Sequence, residues 1–160
     1  MQQNPEGQKQ NLYIMNAVNF FTKEQKEQIR AAVKEAELNT SGEIRVHIDN
    51  RCREDLMDRA AWWFRRLEMH KTELRNGVLF YLAIRDRKFA ILGDAGINAL
   101  IPEDFWDNIR EKMQVRFSEG AFTEGLSEGI LMAGEALKEH FPYQTDDVNE
   151  LPDDISFGKS

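Results

Sequence analysis

Three short turns in this chain, Thr40-Ser41-Gly42-Glu43, Arg75-Asn76-Gly77 and Gly93-Asp94-Ala95-Gly96, each place a glycine beside side chains that end in oxygen. Glycine lets the backbone come close to a ligand, while Thr40, Ser41, Glu43, Asn76 and Asp94 supply hydroxyl, carboxylate and amide oxygens. Glu103 and Asp104 open a later helix nearby. Such a set suits a hard divalent cation, Ca²⁺ or Mg²⁺, better than a transition metal. A plainer reading competes with it. Asp94 would order its own turn, Glu43 would pair with Arg45 or Arg75, and Glu103 and Asp104 would complement a helix N-terminus.

Other chemistries find less support. There is no D-x-D-x-T nucleophile motif, and Cys52 lacks the C-x5-R loop of a cysteine phosphatase because Asp58 stands where the arginine belongs. His47, His70 and His140 have none of the spacings that zinc sites favour and read as surface or satisfied structural residues. G-D-A-G-I-N at 93 to 98 is not a dinucleotide loop, and Asp147-x-Asn149 fails as a calcium loop because Pro152 falls where that loop needs glycine. Metal-assisted hydrolysis at Asp94 and Glu43 is left as the enzymatic reading, weakened by the lack of a nearby general base. Trp63 and Trp106 fit the apolar stripes of their helices, whereas Trp62 lies off its stripe.

The elements that must position these turns follow from periodicity. Thr22 and Gln25 form a capping box, and Ile29, Val33 and Ala36 continue a helix to about Asn39. Glu43 to Asp49 alternates as a strand, with Ile44, Val46 and Ile48 on one face and Arg45 and His47 on a wetter one, near a sheet edge. Residues 53 to 74 return to the helical period. Val78 to Ile84 is an unbroken apolar run that predicts a central strand, and Lys88 to Gly93 makes a hairpin with it. Pro102 is placed to open a third helix, Gly120 to cap it, and a fourth helix runs from about Thr123 until Pro142 stops it.

This order predicts an α/β fold, a three-layer α/β/α sandwich with a small mixed sheet, Rossmann-like in that the first two strands join by a parallel crossover. Parallel strands start at one edge of the sheet and the antiparallel third strand ends there. The three turns should therefore meet.

Length and charge set the outer bounds. The chain has 160 residues, 41% of them hydrophobic, enough for one core. The expected organisation is an extension over residues 1–19, one domain over 20–143 and an acidic tail over 144–160, which Leu151, Ile155 and Phe157 could dock onto the body. The net charge of -7 lacks the Lys/Arg surplus that nucleic-acid binding needs. A single cysteine excludes an intrachain disulfide. The sequence shows neither a leader nor an apolar run of the ~20 residues a membrane span requires, so the expectation is a cytoplasmic monomer that does not engage membranes.

T-S-G-E-I-R-V-H-I at 40 to 48, R-N-G-V-L-F-Y-L-A at 75 to 83, R-K-F-A-I-L-G-D-A-G-I at 87 to 97 and F-x-x-G-x-F-x-x-G-L at 117 to 126 together resemble the TPM domain family. The resemblance spans about residues 20 to 142. It implies an α/β/α sandwich, a bound divalent cation with calcium ahead of magnesium, and a phosphatase activity proposed for some members. Carried over residue by residue, it puts the metal site on Glu43, Asn76 and Asp94, with Asp104 as a further ligand. Arg75 departs from the family pattern, which often has an acid there. The resulting expectation is a divalent-cation-binding accessory domain acting in assembly, repair or regulation of a partner protein, with a metal-dependent acid phosphatase as the alternative.

Overall fold

The computed structural model describes residues 16–143 and 155–158. Helix α1 (Lys23–Glu37) begins at the Thr22–Gln25 capping box and buries Ile29, Ala32, Val33 and Ala36. Leu38 leaves the helix in an extended conformation and Asn39 turns the chain at φ 64°, so the helix stops just before the expected boundary. Strand β1 (Glu43–Asp49) follows, then α2 (Leu56–Arg66), whose N-cap Asp55 accepts from the amide of Asp58. Strands β2 (Gly77–Ala83) and β3 (Lys88–Gly93) form the hairpin. Helices α3 (Ala95–Asn98), α4 (Phe105–Ser118) and α5 (Phe122–His140) complete the body, and β4 (Ser156–Phe157) comes from the tail.

The sheet order is β3-β2-β1-β4, with β1 parallel to β2 and β4 and β3 antiparallel to β2. Because side chains alternate across a strand, Ile44, Val46, Ile48, Val78, Phe80 and Leu82 share one face and pack with α1, α4 and α5. Leu79, Tyr81, Ala83 and Ala90 share the other and pack with Ala60 and Phe64 of α2. Fully buried β2 is the central strand, and the three-layer α/β/α sandwich stands as expected. Among the described residues no helix is long and apolar enough to cross a membrane.

Four local expectations change. The face assigned to Arg45 and His47 is not wet: α2 covers it, and His47 and Asp49 have no exposed surface. The helix expected over 53–74 breaks after Arg66, where Glu68 adopts φ 61° and a short 3-10 turn (Met69–Lys71) sends the chain back under α2 toward β2. Pro102 does not open α4 directly; its carbonyl accepts from the Phe105 amide in a preceding turn. The tail adds a fourth strand, with Ile155 buried and Ser156 and Phe157 paired to His47 and Ile48. Leu151 lies outside the described residues.

Candidate functional site

The register assembles the first site. Glu43 pairs with Gly77 across β1 and β2, and Val78 pairs with Gly93 across β2 and β3, so the three glycine-bearing turns lie side by side at one sheet edge. Backbone hydrogen bonds tie them together: the Glu43 amide to the Asn76 carbonyl (3.3 Å), the Asp94 amide to the Gly77 carbonyl (2.9 Å), and the Gly96 amide to the Arg75 carbonyl (2.8 Å). Gly96 is obligatory here, because a Cβ would overlap the carbonyl oxygens of Leu74 and Arg75.

Glu43, Asn76 and Asp94 are 2%, 2% and 6% exposed, a depth of burial that carboxylates seldom have unless they are paired. Asn76 donates through Nδ2 to Ser41 Oγ (3.3 Å). Asp94 caps α3 by accepting from the Ala95 amide (2.7 Å), and both its oxygens accept from Arg75, Nε and Nη2 each at 2.8 Å. That fork is the paired geometry in which arginine binds carboxylates best. The hydrogen bonds and charge of Asp94 raise the Arg75 guanidinium above its ordinary pKa. Arg75 itself is half exposed and sits at φ 52°. Asp104 stands exposed at the boundary of α4 and makes no side-chain capping bond.

Among the described residues no three His, Cys, Asp or Glu side chains form a group able to hold an ion unaided. Any cation at this edge would therefore need amide, hydroxyl or backbone carbonyl oxygens beside Glu43 and Asp94. The donor types present match a hard cation, and the Arg75 guanidinium already supplies one positive charge to Asp94.

A second polar cluster lies under α2. Asp49 accepts from Tyr81 Oη (2.7 Å), Trp63 Nε1 (2.9 Å) and His47 Nε2 (3.0 Å), with Arg59 Nε at 3.5 Å. The His47 ring stacks on Trp63 at 3.6 Å, and its Nδ1 lies 2.7 Å from Ser156 Oγ. Burial alone would raise Asp49, but the hydrogen bonds from His47, Tyr81 and Trp63 outweigh it and hold the carboxyl below its usual range. Burial lowers His47, with Asp49 offsetting part of the effect, and burial together with Asp49 raises Tyr81. An anionic Asp49 requires the proton of neutral His47 on Nε2, which leaves Nδ1 to accept from the Ser156 hydroxyl.

The sequence left His47 open between a surface and a satisfied structural residue on a wetter strand face; its burial and its bonds to Asp49 and Ser156 make it the second, and the pattern did not single out Asp49 as the hub. The available signal was His-x-Asp on a strand, since residues two apart share a face. Trp63 packs against the α2-side core and also donates to Asp49, while Trp62 is exposed and stacks with the Arg59 guanidinium at 4.6 Å.

The family model for the TPM domain matches residues 14–136. Among solved structures the chain is similar to the BA42 protein from the psychrophilic bacterium Bizionia argentinensis, at 47% identity and TM-score 0.81, covering 87% of this chain and 96% of that one. The N-terminal domain of a protein from P. gingivalis shares the fold at 19% identity and TM-score 0.65, covering 90% and 99%. The N-terminal domain of cg2496 from Corynebacterium glutamicum does so at 10% identity and TM-score 0.60, covering 100% and 95%. No curated protein matches the chain.

Proposed function

Because the chain belongs to the TPM domain family, we propose that it is a divalent-cation-binding accessory domain that acts in assembly, repair or regulation of a partner protein. The observation that carries this reading is the burial of Glu43, Asn76 and Asp94 at one edge, where three turns are knitted together by backbone hydrogen bonds. Glu43, Asn76 and Asp94 would hold the ion, with Asp104 the outlying candidate. Calcium is preferred to magnesium because an edge built from turns tolerates irregular oxygen coordination better than a strict octahedron.

Arg75 sets the condition for binding. Its guanidinium occupies both oxygens of Asp94, so an incoming cation must displace it, and its exposed position leaves room for that movement. The arginine at this position thus acts as a resident counter-charge that weakens, but does not replace, the ion. The metal-dependent phosphomonoesterase is the alternative, for which the Asp94 edge offers carboxylates.

The test is a calcium and magnesium titration followed by NMR on wild type and Asp94→Ala, together with hydrolysis of a generic phosphate ester. Shifts confined to the three turns, lost in Asp94→Ala and unaccompanied by turnover, are expected. Turnover abolished by Asp94→Ala moves the assignment to the enzyme. Absence of any ion-dependent shift in wild type discards the cation reading.

A further inference from the structure

The outer edge of β1 carries a residue-by-residue contact that the proposed cation site does not use. Four residues, Ile155 to Gly158, lie along it after eleven intervening residues, 144–154, that separate them from Tyr143 in the sequence. Each position is read by a different feature of the groove. Ile155 is 5% exposed within the main core. Ser156 reaches His47 Nδ1 (2.7 Å) and the Val46 carbonyl (3.3 Å). Phe157 packs on the core edge with the Lys26 ammonium 5.1 Å from its ring centroid. Gly158 donates to the Ile48 carbonyl (2.9 Å), and any Cβ there would overlap Asp49 Oδ1.

A groove that demands an aliphatic residue, a serine, an aromatic residue and a glycine in order has the character of a peptide site. Strand addition supplies affinity through the main chain, while pockets for alternate side chains supply selectivity. The reading groups His47 and Asp49 are held by Trp63, Tyr81 and Arg59 on elements of the body, so they are preorganised whether or not the tail is present. The tail makes only a two-residue ladder with β1, so few main-chain hydrogen bonds hold it there against a competing strand.

We propose that the outer edge of β1 is a sequence-selective peptide site, and that the chain's own Ile155–Gly158 is an intramolecular occupant that an extended aliphatic–Ser–aromatic–Gly segment of a partner protein displaces. The tethered segment acts as a competitor, present at high effective concentration, that sets the threshold for the partner.

The experiment uses the full chain with a protease recognition sequence inserted between Asn149 and Glu150. After cleavage, a fluorescent peptide of residues 153–160 is titrated in, and the His47 ring signals are followed by NMR. Saturable displacement of the cleaved tail is expected, with the Gly158→Ala peptide about tenfold or more weaker and the Ser156→Ala peptide roughly fivefold weaker, the loss of one hydrogen bond. Equal binding of wild-type and Gly158→Ala peptides, or no displacement, overturns the proposal. In the uncut chain the Gly158 amide should exchange with solvent faster than the Phe80 amide; exchange of both at one common rate also overturns it, since the segment then opens only with the whole fold. Concentration-dependent dimers that trade the segment between differently labelled copies would assign the groove to a second copy and overturn the partner reading.

Discussion

Asp49 accepts hydrogen bonds from three side chains with no surface exposed to water, and removing any donor leaves a buried anion less compensated. Tyr81→Phe keeps the ring and deletes one charge-assisted bond, so urea unfolding should show a loss of about 1.5–3 kcal/mol. His47 adds a pH dependence whose sign follows from burial. Its folded pKa is lowered from 6.5, so below that pH the unfolded chain takes up a proton that the folded chain refuses. The stability tied to neutral His47 is complete above 6.5 and drains away as pH falls toward its depressed folded value. Asp49, lowered from 3.8, gives a second and separate loss below that pH. Urea midpoints measured from pH 8 downward should begin to fall near 6.5, and His47→Gln should flatten that limb while keeping the acid one. An unchanged upper limb in His47→Gln would remove the histidine from the account. None of this was legible from alternation alone, which assigns polar residues to solvent and cannot register that His47, Asp49 and Tyr81 satisfy one another inside.

At the scale of elements, α1 and α5 meet through small residues. A Cβ built on Gly134 would lie 2.6 Å from Ala36 Cβ and 2.7 Å from its Cα, so the two helices approach too closely there for any larger side chain. Intrinsic propensity argues that Gly134→Ala should stabilise a helix by about 1 kcal/mol. Overpacking against backbone that cannot yield costs roughly 1–3 kcal/mol, which makes the expected net change a loss in thermal unfolding. A gain would mean that α1 slides away freely. The long elements were legible because each carries many turns of its period: α1 and α5 announce themselves through Ile29, Val33, Ala36 and through Leu126, Ile130, Ala133, Leu137. β4 and α3 were not, because two and four residues are too few to show a period. Pro102 misled by one turn, since a proline that favours a helix start also suits the turn before one.

For the whole molecule, the proposed cation site and the fold's stability are linked, because an ion that binds the assembled edge has nothing to bind once β1, β2 and β3 separate. The candidate residues were partly legible for the same reason: topology alone places the starts of two parallel strands and the end of an antiparallel one together, and the register does bring Glu43, Asn76 and Asp94 to one edge. What topology cannot convey is the side-chain partner, here the Arg75 fork on Asp94, which an ion bound as proposed would have to contest. Mass action then fixes the expected size. At free calcium one hundred times its dissociation constant, the wild-type chain should gain about 2.7 kcal/mol against unfolding, and the thermal midpoint should climb with ion concentration and return with a chelator. Arg75→Gln removes the competing charge, so its midpoint should begin to climb at lower calcium, whereas Asp94→Asn should show no climb. The two substitutions pull in opposite directions only if the ion and the guanidinium contest the same carboxylate. Midpoints indifferent to calcium in all three proteins would make the Arg75–Asp94 pair the permanent occupant of the edge and its role purely structural.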